Sequence, residues 1–144
     1  MSILERLRAG VTTASADETR ALAGELARTL PPDQTLALHG NLGVGKTTFV
    51  QGLACGFGVP EPVTSPTFNI YTVHRGPSRT LVHLDAYRIE SAREIEDLLL
   101  EDFLVTPWCL AVEWPDRIAE WLPADTWHLE LAITADERHT LLLR

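Results

Sequence analysis

Lysine is almost missing from this chain of 144 residues. Of its 12 basic residues only Lys46 is a lysine; the rest are arginine. Basic residues are also outnumbered. Asp and Glu total 20, and the formal net charge is −8. Proteins that hold tRNA or DNA by themselves carry a basic face. No basic run occurs here, which argues against broad nucleic-acid binding by this chain alone, DNA included. Cysteine is scarce too. Cys55 and Cys109 lie in apolar surroundings and read as buried free thiols of a reducing compartment, not as a disulfide or a metal pair. No apolar run approaches the ~18 residues that a membrane span needs. The N-terminal stretch Met1-Ser2-Ile3-Leu4-Glu5-Arg6 lacks the apolar core of a signal peptide. These absences point to a cytoplasmic protein without a membrane partner. Hydrophobic residues make up 45% and charged residues 22%, an ordinary soluble composition, and the length suits a single domain over residues 1–144.

What is present centres on Gly40-Asn41-Leu42-Gly43-Val44-Gly45-Lys46-Thr47. The stretch fits G-x-x-x-x-G-K-[ST], the P-loop pattern. Thr35–His39 before it reads as a short buried strand, and Thr48–Ala54 after it as the first turns of a helix, the context this motif requires. The glycines let the backbone bend and approach a phosphate closely. Backbone N–H groups from Leu42 through Gly43, Val44, Gly45, Lys46 and Thr47 to Thr48 can converge on an anion at the helix N-terminus. Lys46 can reach the β- and γ-phosphates, and the Thr47 hydroxyl can ligate Mg²⁺. An Asn-Lys-x-Asp element, the usual reader of guanine, would need a second lysine. Its absence favours ATP over GTP.

Around this motif the chain alternates helices and strands. Ser15 and Glu18 form a capping box, and Leu22, Leu26 and Leu30 give an amphipathic helix over Asp17–Leu30. A short strand falls near Gly10–Ala14. The P-loop helix ends near Gly56-Phe57-Gly58. Residues 59–67 hold three prolines, so they form a loop: either a plain surface connection or a nucleotide-sensing loop that sets a Thr near Mg²⁺ and the γ-phosphate. Phe68–His74 and Thr80–Asp85 read as a hairpin. Ser91 and Glu94 cap a helix to about Leu104. Trp108–Glu113 is a buried strand, Asp116–Leu122 a short helix, and Trp127–Thr134 with His139–Leu143 a C-terminal hairpin. The expected fold is α/β, a P-loop NTPase-like three-layer arrangement with a mixed central sheet flanked by helices.

Ligands of such sheets sit at the carboxyl ends of the strands. Asp85 and Glu113 both end strands, and a P-loop nucleotidase needs a carboxylate there for Mg²⁺. Either acid can hold the metal while the other orients water; spacing alone does not assign the roles. His83 shares a strand face with Asp85 and is either structural or catalytic. Arg88 either neutralises transition-state charge or pairs with a nearby acid. Trp114 is placed near the nucleotide; the other tryptophans read as core or partner surface.

Four stretches in order resemble the TsaE (YjeE) family, bacterial P-loop ATPases of tRNA threonylcarbamoyladenosine (t6A) synthesis. The family's G-D-L-G-A-G-K-T-T-F stands here as Gly40–Phe49. Its S-P-T-[FY] stands as Ser65-Pro66-Thr67-Phe68, its H-x-D-x-Y-R as His83–Arg88, and its V-E-W-P as Val112–Pro115. Its T-x-x-L is matched by Thr19 and Leu22. Asn41 replaces the common Asp at a position where the backbone matters more than the charge. Leu99 stands where many members have Gly. The resemblance implies slow ATP hydrolysis by the chain alone, with ATP/ADP and Mg²⁺ as cofactors. It implies association with the TsaD–TsaB pair, which modifies position 37 of tRNAs reading codons that begin with A; tRNA is then met only through partners. Glu113 with Thr47 would serve Mg²⁺, Asp85 would support the site or orient water, Thr67 would sense the nucleotide, and Thr19 would lie on the adenine side. Two other readings of the P-loop remain: a small-molecule kinase, weakened by the lack of a substrate lobe, and a nucleotide-gated binding module that needs occupancy but not cleavage.

Overall fold

Side chains along a strand point alternately to the two faces of a sheet, and here each face has its own cover. The computed structural model describes residues 1–66 and 70–144; Thr67, and with it the start of the predicted strand Phe68–His74, lies outside the described residues. The elements run α1 (Ile3–Ala9), β1 (Val11–Thr13), α2 (Ala16–Ala27), β2 (Gln34–His39), α3 (Lys46–Gly56), β3 (Tyr71–Arg75), β4 (Thr80–Asp85), α4 (Ala92–Asp97), β5 (Trp108–Glu113), β6 (Trp127–Ile133) and β7 (His139–Leu143). Single 3-10 turns cover Leu100–Phe103 and Pro115–Ile118. The strands form one seven-stranded sheet in the order β1-β7-β6-β2-β5-β4-β3. Its centre, β6-β2-β5-β4, is parallel. Both expected hairpins, β3-β4 and β6-β7, are antiparallel, as is β1-β7. The sheet is therefore mixed, as the sequence implied.

On one face Leu36, Leu38, Leu81, Cys109 and Ala111 pack against Leu22, Leu26, Phe49 and Leu53 of α2 and α3. On the other, Val82, Leu84, Leu110 and Val112 pack against Ile95, Leu100 and Ile118. These are the three layers. The same two-residue period that sends Leu81 and Cys109 toward α3 also sends His83, Asp85 and Glu113 to that side. The seam between α2 and α3 is closed by small residues. A Cβ at Gly52 would stand 2.4 Å from the Arg20 carbonyl oxygen and 2.7 Å from the Ala23 Cβ. Backbone contact there fixes the axis of α3, and so the direction of its N-terminus.

Several local expectations are corrected. Helix α1 was not foreseen. It is seven residues long, too short for a periodic signal, and Ser2 caps it by accepting from the Glu5 N–H at 3.1 Å. Ser15 accepts from the Glu18 N–H as expected, but the Glu18 carboxylate accepts from the Ala14 N–H, one residue before the cap. Helix α2 stops at Ala27, three residues short of Leu30. The helix expected from Ser91 to Leu104 is two pieces, because Leu99 takes a left-handed conformation, φ 53°, between α4 and the following 3-10 turn. Ser91 makes no side-chain cap; Glu94 instead accepts from the Glu90 N–H. Asp116–Leu122 is reduced to the turn Pro115–Ile118. Cys109 is buried, which pushes its thiol up to about 12, but Cys55 is exposed on α3; both are free. Among the described residues no helix is long and apolar enough to cross a membrane.

Leu99 is 60% exposed, so its side chain gains little from burial while its backbone carries the left-handed cost of about 1–2 kcal/mol. Leu99→Gly removes that cost against a chain-entropy loss of ~0.5–1 kcal/mol. The expected outcome is a melting temperature higher by about 1–3 °C, whereas Leu99→Ala, which keeps the strain, gives no rise.

Candidate functional site

The apolar strand β2 delivers the chain to the loop, and three glycines turn it into α3. Gly40, Gly43 and Gly45 have φ of 149°, 84° and 100°. A Cβ at Gly40 would lie 2.6 Å from the Leu131 carbonyl oxygen, whereas one at Gly43 would meet nothing within 4 Å. Gly40 is thus pinned by the neighbouring strand, and Gly43 leaves open space for a ligand. Val44 anchors the loop. Its side chain is buried, and its carbonyl accepts from His139 Nδ1 at 2.9 Å. The first helical bond runs from the Phe49 N–H to the Gly45 carbonyl. The N–H groups of Lys46, Thr47 and Thr48 precede it at the positive end of the helix, where an anion is favoured.

The opposite wall is set by the register of β4 on β5, which pairs Asp85 with Glu113, on strands about 4.8 Å apart. Lys46 is only 4% exposed. Its Nζ donates to the Gly40 carbonyl at 2.7 Å and sits 3.6 Å from the centroid of the Trp114 ring. Burial lowers its pKa, and the charges of Glu113 and Asp85 oppose that shift. The Thr47 hydroxyl donates to Glu113 Oε2 at 3.3 Å. His83 Nε2 lies 2.5 Å from the same oxygen. Asp85 Oδ1 accepts from the Tyr87 N–H at 3.0 Å. These groups border a cavity of about 620 Å³ lined by Leu42, Gly43, Gly45, Lys46, Thr47, Thr48, Ser65, Ile70, Asp85, Tyr87, Arg88, Glu113 and Trp114.

The donor set fits a phosphate chain carrying a hard cation. Amides and a buried ammonium meet the anion on one side. On the other, a hydroxyl and two adjoining carboxylates offer only oxygen, the ligand that Mg²⁺ prefers. Two carboxylates side by side repel, and a divalent cation between them and a phosphate offsets that repulsion. Among the described residues no three His, Cys, Asp or Glu side chains gather as a ready-made metal cluster. A cation bound here would take the Thr47 hydroxyl and ligand oxygens into its shell.

The family model described as threonylcarbamoyl adenosine biosynthesis protein TsaE matches residues 13–140. This chain belongs to the TsaE family. A relative from Treponema pallidum, named tRNA threonylcarbamoyladenosine biosynthesis protein TsaE, is 36% identical over 122 residues, 85% of this chain and 90% of its own length. One of the same name from Streptomyces coelicolor is 42% identical over 128 residues, 83% of this chain and 86% of its own. Among solved structures, Bacillus subtilis YdiB superposes with a TM-score of 0.76 at 32% identity, covering 92% of this chain and 81% of that one.

Of the residues singled out from the TsaE-like motifs, Leu42, Gly43, Gly45, Lys46, Thr47, Thr48, Asp85 and Glu113 come together around the cavity. Val44 faces the core. Thr19 is not among the lining residues; it is buried, and its hydroxyl is 2.6 Å from that of Thr13. Thr67 lies outside the described residues. Asn41 is exposed and contributes its carbonyl, which accepts from the Val44 N–H. Arg88 lines the cavity, and no ion pair to it is found among the described residues. Tyr87 was missed. Its ring centroid lies 5.1 Å from that of Trp114, and its place two residues after Asp85 was the available signal.

His39, the last residue before the loop, faces His128, Asp116, Glu130 and Arg144. Its Nε2 is 2.8 Å from His128 Nδ1, so one ring donates to the other. Burial first, then Arg144 and His128, lower its pKa below the ordinary 6.5. A histidine depressed in the folded state contributes stability that is present above the unfolded value and lost as pH falls through the folded one. Urea denaturation at about pH 7.5 and pH 5.5 is expected to show a loss of stability on acidification that His39→Gln makes smaller; an unchanged pH slope would contradict the assignment.

Proposed function

We propose that this chain is a Mg²⁺-dependent P-loop ATPase that acts in t6A modification of tRNA together with the TsaD–TsaB pair, in the cytoplasm. The supporting observation is that Lys46, Thr47, Asp85 and Glu113 line one cavity, with the Thr47 hydroxyl on the Glu113 carboxylate. Two relatives carry the t6A biosynthesis name over most of their length.

The loop amides and the α3 N-terminus hold the β- and γ-phosphates of ATP. Lys46 exchanges the Gly40 carbonyl and the Trp114 face for phosphate oxygens. Thr47 and Glu113 hold Mg²⁺, which supplies charge neutralisation on the γ-phosphate when bound. Asp85, fixed by the Tyr87 amide, supports the site or orients the attacking water. By itself the chain hydrolyses ATP slowly, and the partner proteins raise the rate. With a net charge of −8, the chain leaves tRNA to those partners.

Lys46→Ala is expected to weaken ATP binding by at least about tenfold, since a charge-assisted contact to phosphate is lost. Glu113→Ala is expected to lower Mg-ATP affinity by about tenfold, sparing metal-free binding, and to lower single-turnover hydrolysis by more, about a hundredfold. Calorimetric titration and phosphate release read the two effects separately. Hydrolysis by the Glu113 variant at the unchanged rate would reject the mechanism.

A further inference from the structure

One buried polar ring beside this site has no part in the chemistry so far. His83 is fully buried on the α3 side of β4. The carboxylate it meets can only accept, so Nε2 carries the proton and donates to Glu113 Oε2 at 2.5 Å. Nδ1 is then left buried without a partner among the described residues. Packing does not ask for such a ring, because an aliphatic side chain fills an apolar core without stranding a nitrogen. The ring reaches its partner through the sheet register. His83 pairs with Ala111 while Asp85 pairs with Glu113, so the imidazole stands one step behind the acids and bonds diagonally to the next strand.

Both described hydrogen bonds of the Glu113 carboxylate fall on Oε2. The bond from Thr47 is long, 3.3 Å, and its hydroxyl is also the group that would turn to a cation. The bond from His83 is short and fully buried. We propose that His83 is a positioning residue: it clamps Oε2 so that the Glu113 carboxylate meets a Mg²⁺–nucleotide complex in one orientation. The inference rests on the nucleotide reading above. The clamp acts at the cation end of the cavity and not on the phosphate loop. Its loss therefore weakens the magnesium-dependent part of nucleotide binding and spares the metal-free part.

The test is calorimetric titration of ADP into wild type, His83→Leu and His83→Gln, each in magnesium and in EDTA, with folding checked by thermal melting. The glutamine amide reaches about as far as Nε2 and keeps the donor. The gain in ADP affinity on adding magnesium is expected to fall about tenfold in His83→Leu, the effect of a lost hydrogen bond to a charged group, and to recover largely in His83→Gln. Affinity in EDTA is expected to stay the same in all three. His83→Asn, whose shorter amide falls short of Glu113, replaces the leucine variant if that does not fold. A wild-type magnesium gain in the variant lacking the donor would overturn the proposal. So would equal losses in magnesium and EDTA, or a glutamine variant no better than leucine. No magnesium gain in wild type would instead strike the nucleotide–cation reading itself, and the clamp with it.

Discussion

The parallel pairing of β4 with β5 decides where the two acids of the cavity stand. Asp85 and Glu113 end their strands at the same level and on the same face. A slip of one residue would turn every side chain of one strand to the opposite face, separating the acids and taking His83 away from Glu113. What holds the register is apolar. Leu81, Cys109 and Ala111 lock against α3, and Val82, Leu84, Leu110 and Val112 lock against the other layer. The hydrophobic core and the polar site are in this sense one construction, since the period that buries the core also aims the acids.

The second fixed body is α3. Its contact with α2 through Gly52 leaves no room for a Cβ, and Phe49 and Leu53 pack the helix against the sheet. Its N-terminus and Lys46 therefore face the acids across a set gap. Lys46 is held between the Gly40 carbonyl and the Trp114 face. An ammonium buried at 4% exposure is tolerated there because Glu113 and Asp85 lie nearby and because the Gly40 carbonyl accepts from it.

The glycine-rich loop was legible because its signal is local: glycines, one lysine and a threonine in a strand–loop–helix setting. The strand ends were legible because an apolar run such as Cys109–Val112 closes on an acid. What escaped depends on contacts distant in sequence. The His83–Glu113 bond is a diagonal across two strands, and only the register reveals it. The seat of Lys46 on Trp114 requires a left-handed turn at Trp114, φ 57°, which no propensity announces. Leu99 breaks a helix that its neighbours would continue, because the chain must turn there whatever residue it carries. Cys55 was misread as buried: its apolar neighbours in sequence point to the core from other sides of α3. The hydroxyl of Thr19 faces Thr13, a pairing set by the meeting of α2 with β1.

The function proposed for this acidic chain is to hydrolyse ATP on behalf of partner proteins. The measurement that tests this most directly is phosphate release from Mg-ATP by the purified protein, with and without the TsaD–TsaB pair from the same source, with Lys46→Ala as the blank. The account predicts a low rate for the chain alone and a severalfold rise with the pair, absent in the lysine variant. Equal rates in both conditions, at concentrations where the three proteins are shown to associate, would contradict it.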